Sequence, residues 1–566
     1  MLILSAVFAA SVSCLKRWTQ KTLACDLARV TTRYTAAVAF AATISVFASC
    51  APKNEADDKF EAAAVTLNRS IGGQPGSLDP HRAEDAFSYD VLRDLYEGLT
   101  ASSPEGEVIQ AASSHWRVSR DGRIYIFELR EGSTWSNGDP VTASQFVTGF
   151  RRATDPATAS GAADLLRAIV NAPAILRGEM PADSLGVRAL DDRTLEIRLS
   201  HPVPYFPDIL TNTVASPVHP SSLAASGGFS KAGSTISNGP YVLQQFVPGT
   251  SLTLRRNPHY WNRAAVQFDE VRYEFVADEN AEFTRFRAGA IDVTNTVPEQ
   301  RFQELAEKRD PRLQHRPTLS TFYFTLNTDR GPLRGKPGLR EALSLAVDRD
   351  AITASVTRAG QVPAYSLVPT GVWNYEPQAY AWRETGATER RARARKLYAE
   401  SGYSARRPLR LRLLYNENEL VERVSIAVAA MWKDVLGVET ELMQMEFKAY
   451  LGARADPAQW DVVRVGWTAD YNDASTFLDT MTADSPQNFG RWSNSGYARL
   501  LAEAAAEPDA SRRRDVLQRA ESLMLNDYPL LPVYYYVTRR LVQPRVVAPA
   551  INPMNRTYSR YFRLAP

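Results

Sequence analysis

The segment from Leu409 to Met443 constrains the fold more than any other part of this 566-residue chain. Leu409, Leu411 and Leu413 alternate as in a strand, and Leu420, Val424, Ala427, Val428, Met431 and Val435 then recur along one helical face. Gly437 supplies the left-handed residue that ends such a helix, and Val438 to Met443 returns as a strand. Strand, helix and strand in this order make a βαβ crossover, so the strands run parallel. A parallel sheet presents its binding loops at the carboxyl ends of its strands. The class is therefore α/β. A chain of this length exceeds one hydrophobic core, and two or three lobes are expected.

Val462 to Asp473 ends at such a strand terminus. It opens as a β-branched run and breaks into a polar turn carrying Arg464, Asp470, Asn472 and Asp473. Opposite charges a few residues apart on a strand-end loop suit a ligand with an ammonium at one end and a carboxylate at the other, as a peptide has. On the residues alone the alternative stands beside it: Arg464 and Asp470 as ordinary surface charges, which are common and weak.

The rest of the chain reads as alternating short strands and helices. Val65 to Ile71 is a strand, Phe87 to Leu99 an amphipathic helix with Val91, Leu95 and Leu99 on one face, and Trp116 opens a hairpin turning at Arg120-Asp121-Gly122. Thr142 caps a helix through Phe150. Ser184 to Leu199 forms a second hairpin, Asn280 to Ala288 a helix, and Ile291 to Val293 a strand. Leu530 to Val537, with three consecutive tyrosines, is the last strand.

Several of these stretches together resemble the periplasmic oligopeptide-binding proteins, the receptors of ABC-type peptide importers, over about Leu67 to Tyr561. The segment Arg464-Val-Gly-Trp-Thr-Ala-Asp-Tyr-Asn472 follows that family's pattern Arg-x-Gly-Trp-x-Ala-Asp-Tyr-Asn, and Trp135 to Pro140, Ser237 to Tyr241 and Arg256 to Trp261 resemble its other signature loops. The resemblance implies a periplasmic-binding-protein-like fold: two ligand-enclosing lobes (65–96 with 221–325 and 537–566, and 326–536) plus an additional third domain (97–220). It implies a peptide ammonium on Asp470 and a peptide carboxylate towards Arg464, with Gly466, Trp467, Thr468, Glu84, Asp85 and Ala86 around the peptide backbone. Asn416, Phe447, Leu451 and Arg454 match side-chain pockets, and Tyr535 a cleft border. Phe447 and Leu451, four apart on a helix, equally fit a core. The partners implied are short peptides and the membrane permease of an importer, acting on a monomer without a cofactor. The chain also departs from the family: paired cysteines of some relatives are Ser320 and Thr468 here, and two carboxylate-side groups are replaced by Val421 and Thr357. Arg464 therefore carries that end with less support, which opens the question of preferred peptide length, and receptors for murein peptides, haem or glutathione share the architecture.

All three cysteines, Cys14, Cys25 and Cys50, lie in the first fifty residues. Ala36 to Ala48 is a short apolar run after Arg29 and Arg33 and ends Phe-Ala-Ser-Cys50, as a lipobox does, so 1–50 is expected to be a leader with Cys50 lipidated and 51–64 a tether. Plain cleavage nearby, or a short membrane anchor, is the alternative. The earlier run Leu2 to Cys14 lacks preceding basic residues, so the natural start is expected nearer Val30. Outside residues 1–49, 61 basic residues face 62 acidic ones, which leaves no basic field for nucleic acid.

Enzymatic signals are weak. The six histidines show no zinc-protease spacing, no Gly-x-Ser-x-Gly elbow occurs, and Gly335-Lys336 lacks the Ser/Thr of a phosphate loop. His81 beside Glu84 and Asp85 is a poor metal set, and a solvated surface histidine is expected there. The reading is a binder rather than a hydrolase, with no metal.

Overall fold

The computed structural model describes residues 64–225 and 228–566. The leader, Cys50 and nearly all of the tether lie outside the described residues.

The crossover is present. Arg410–Asn416 pairs in parallel with Glu439–Met445, and the helix Glu419–Leu436 joins them. Asn418 caps that helix by accepting from Val421 N, and Gly437 closes it at φ 75°, a conformation that costs a glycine little. Its inward face is Val424, Val428, Trp432 and Val435, all buried; such side chains contribute about 1.5–3 kcal/mol each when withdrawn from water. The sheet they cover has six strands in the order Val362–Pro363, Leu530–Leu541, Leu313–Leu326, Val462–Thr468, Arg410–Asn416, Glu439–Met445. It is mixed rather than parallel throughout, because Leu313–Leu326 runs antiparallel to both its neighbours.

Among the described residues there are two further sheets of four strands. One orders Thr66–Ile71, Glu270–Phe275, Ser251–Arg256 and Tyr241–Val247; the other Ser113–Val118, Ile124–Leu129, Thr194–Arg198 and Val187–Ala189. Their apolar faces merge into one cluster, while the six-stranded sheet builds a second around Phe322, Leu413 and Val463. The chain links them just beyond the strand Leu530–Leu541, which is not the last, since Val546–Val547 and Arg563–Leu564 follow it: Val542 bridges Val293, which in turn bridges Arg69. Ile291 to Val293 is thus a pair of single bridges rather than a strand.

Two local expectations change. The helix expected to Leu99 is Ala86–Leu95, because Tyr96 turns extended at φ −122°, ψ 147°. His81 is not solvated but fully buried, with Nε2 3.0 Å from Ser216 O and Nδ1 2.9 Å from Arg152 Nη1. Arginine has only donors, so Nδ1 accepts and the proton resides on Nε2. Burial pushes the His81 pKa down to about 4, the Ser216 carbonyl and Asp79 oppose the fall, and Arg152 adds to it.

Candidate ligand-binding site

The strand Val462–Thr468 sets the site by its period of two. Val463 and Val465 point into the apolar core, whereas Arg464, Gly466 and Thr468 face an open chamber of about 530 Å³. Thr318, Leu319 and Ser320 of one neighbouring strand and Tyr536, Val537 and Thr538 of the next complete that floor. Ala86, Tyr89 and Arg93, from the helix Ala86–Leu95, stand opposite. A second chamber of about 570 Å³ shares Ala86, Tyr89, Arg93, Thr468, Ala469 and Met554 with the first. It adds Glu84, Asp164, Asp470 and Arg556.

The two ends differ in charge. At one end Arg464 donates through Nη2 to Tyr536 Oη at 2.8 Å and through Nη1 to Asn416 Oδ1 at 3.4 Å, and its guanidinium lies 4.9 Å from the Phe322 ring. Its buried Nε has no acceptor among the described residues. No carboxylate among those residues pairs with it. At the other end the Asp470 backbone is held, N by Thr476 Oγ1 at 3.2 Å and O by Arg556 Nη2 at 3.0 Å, but its carboxylate takes no hydrogen bond among the described residues. Although the residue opens onto the chamber, the protein around it displaces enough water to push the carboxyl pKa up to about 6; Arg556 opposes the rise and Asp164 adds to it. A cation without an anion and an acid without a cation face one connected space.

The other expected residues divide. Glu84 and Ala86 line the second chamber. Asp85 instead caps the helix Ala86–Leu95, accepting from Ser88 N at 2.8 Å and Ser88 Oγ at 2.6 Å. Asn416 acts on Arg464 rather than on the chamber. Trp467 points to the opposite side of its strand, against the core, with Nε1 3.4 Å from Thr476 Oγ1. Phe447 and Leu451 are 53% and 39% exposed, so they do not belong to the core, and neither lines either chamber. Arg454, on the same helix, lies 4.2 Å from the Phe489 ring, outside both chambers. Tyr535 is a correction: its hydroxyl is 2.6 Å from Ser366 Oγ, on the face away from the chambers, and its neighbour Tyr536 lines the site. Successive strand residues face opposite ways, so a shift of one exchanges core for site.

Ser320 and Thr468 are cross-strand partners with Oγ and Oγ1 2.7 Å apart. The loop beyond them is fixed residue by residue. Tyr471 stacks on Tyr205 with centroids 4.3 Å apart and planes at 4°, Asn472 N donates to Asp208 Oδ2 at 2.5 Å, and Asp473 pairs with Arg513 at 2.6 Å. Tyr89, Arg93, Asp164 and Arg556 were not among the expected site residues; Arg556 carries no local motif and reaches the site only through the fold.

A chamber between the strands of the six-stranded sheet and the helix Ala86–Leu95, in an α/β chain of several sheets, is the arrangement of a solute-binding protein. The chain belongs to the bacterial extracellular solute-binding proteins, family 5, whose middle region matches residues 108–489. It is 38% identical over 488 residues to the periplasmic oligopeptide-binding protein OppA of Salmonella typhimurium, covering 85% of this chain and 89% of that protein. Its structure resembles the MppA periplasmic murein tripeptide binding protein in its unliganded open form, with a TM-score of 0.80, 35% identity, 89% of this chain and 98% of that one covered. The Haemophilus influenzae OppA complex with the peptide RPPGFSPFR is similar at TM-score 0.73 and 32% identity, over 89% and 99% of the two chains.

Proposed function

We propose that this protein is an extracytoplasmic receptor that encloses short peptides and delivers them to the membrane permease of an ABC importer. The observation that carries the proposal is the pairing of an unmatched Asp470 carboxylate at one end of the joined chambers with an unmatched Arg464 guanidinium at the other. Asp470 receives the peptide's ammonium, and a charge-assisted bond of this kind strengthens as the closing lobes exclude water. Arg464 draws the carboxylate end. Between them the edge atoms of Gly466 and Thr468 offer main-chain partners to an extended guest, which gives affinity for any sequence. Arg464 to Thr468 spans roughly 13 Å, the reach of about four extended residues.

The enclosing lobes are 65–96 with 221–325 and 537–566, and 326–536; residues 97–220 form the added domain. The receptor acts as a monomer, binds without chemistry, and is held at the membrane on the periplasmic side by a lipid on Cys50. Calorimetry with free-amine tripeptides and their amino-acetylated counterparts tests the reading: binding of the first and loss of at least about tenfold with the second supports it, and equal affinities contradict it. The likeness to the murein tripeptide receptor makes murein peptides the second reading. Native mass spectrometry of protein purified without denaturant separates the two, a mixture of short peptides favouring the first and a single defined metabolite the second.

A further inference from the structure

We propose that Arg556 and Asp208 are positioning residues for Asp470, a buried ion pair that clamps the main chain on both sides of Tyr471 and fixes where the acid meets its ligand. The inference rests on the reading that Asp470 receives the ligand's ammonium.

The clamp is a closed ring of contacts. Asp208 Oδ1 accepts from Arg556 Nη1 at 2.6 Å, and its other oxygen, Oδ2, accepts from Asn472 N at 2.5 Å. Arg556 Nη2 in turn donates to the Asp470 carbonyl at 3.0 Å. Thr211 Oγ1 takes a further bond from Nη1 at 2.5 Å, which pins the guanidinium's rotation. The two side chains are only 6% and 5% exposed. Three distant stretches meet here: the short helix Phe206–Ile209, the C-terminal segment, and the loop after Val462–Thr468. A buried charge is costly unless it is paired and hydrogen-bonded, and this pair directs its remaining bonds at the two peptide groups that flank Tyr471.

A brace between segments accounts for the pairing but not for the second role of Arg556, which also lines the chamber that Asp470 faces. The other charged groups lining that chamber are Glu84, Asp164 and Arg93, and Arg93 is already engaged by Asp90 at 3.0 Å. Burial and Asp164 both push the Asp470 pKa up, and Arg556 is the cation that restrains the rise. Losing Arg556 therefore frees the loop carbonyl and lets the acid hold its proton to higher pH, both against an ammonium ligand.

Calorimetric titration of a free-amine tripeptide across about pH 5 to 8, with wild type, Asp470→Asn, Arg556→Gln, Arg556→Lys and Asp208→Asn, tests this. Arg556→Gln is expected to weaken binding about tenfold or more at neutral pH and to move the midpoint of the acid-side loss upward. Arg556→Lys restores the midpoint while recovering only part of the affinity, because one ammonium does not reproduce the fork. Asp208→Asn leaves one acceptor oxygen for two donors, Arg556 Nη1 and Asn472 N, so the clamp opens on one side and binding weakens without raising the midpoint. If Arg556→Gln does not fold, the Lys and Asn variants carry the test. A wild-type midpoint in Arg556→Gln, or in its place an unweakened affinity in Asp208→Asn, overturns the positioning role, as does a raised midpoint in Arg556→Lys. Unchanged affinity in Asp470→Asn removes the ammonium reading itself.

Discussion

Asp470 and Asp473 stand on one loop, identical in chemistry and alike in the sequence, yet the fold gives them opposite tasks. Asp473 is saturated: Arg513 grips both oxygens at 2.6 and 2.8 Å, and Ser475 adds its N at 2.9 Å and its Oγ at 2.7 Å. Asp470 has only its backbone held, and its carboxylate is left facing the chamber. An acid whose partners are all internal holds structure together. An acid with no internal partner, facing the chamber, is open to pairing with a ligand, and burial raises its pKa.

The comparison is most easily broken at Asp473. Asp473→Asn removes one side of a buried ion pair and is expected to cost about 3–5 kcal/mol of stability in urea unfolding; a loss below about 1 kcal/mol means the pair is not the loop's anchor. Asp470→Asn reverses the pattern, weakening peptide binding by more than about tenfold, on the order of 1.4 kcal/mol, while the unliganded protein unfolds at the wild-type denaturant concentration or above it. Destabilisation matching that of Asp473→Asn erases the distinction.

Acid sharpens the same contrast. Burial pushes the Asp470 carboxyl up to about 6, and an ammonium ligand there would pair with its ionised form. Affinity is therefore expected to be nearly full from about pH 7 upward, to fall as pH drops through about 6, and to approach tenfold per unit at about pH 5 and below. The sign is opposite for the free protein: an acid whose folded pKa is raised withdraws stability as pH rises through that range. Affinity that holds level from about pH 7 to 5 in calorimetry contradicts the assignment of the titrating group.

The smallest effects concern the two tyrosines. Tyr536→Phe removes the bond to Arg464 and is expected to weaken binding by about 1 kcal/mol. Tyr535→Phe removes the bond to Ser366 and costs a similar amount of stability with affinity unchanged. The reverse outcome puts the wrong tyrosine in the site.

The sequence showed the crossover plainly because Leu409 to Met443 combines period two, period 3.6 and a stop glycine in one run. It also carried Arg464, Gly466, Thr468 and Asp470, since their strand and loop are contiguous. Three consecutive tyrosines give no alternation from which to choose between Tyr535 and Tyr536; only pairing against Thr321 and Phe322 sets which one looks into the chamber. The burial of His81 leaves no local signal, because it depends on Arg152 and Ser216, both remote in the chain. Arg556 and Asp208 were illegible for the same reason: a clamp assembled from three segments leaves no local pattern in any of them.

In a structure with a bound free-amine tripeptide, the peptide's α-amino nitrogen is expected within about 3.2 Å of an Asp470 carboxylate oxygen, with its chain lying along Thr468 and Gly466 towards Arg464. An ammonium held by Glu84 or Asp164 instead, or a peptide bound outside the joined chambers, contradicts this placement.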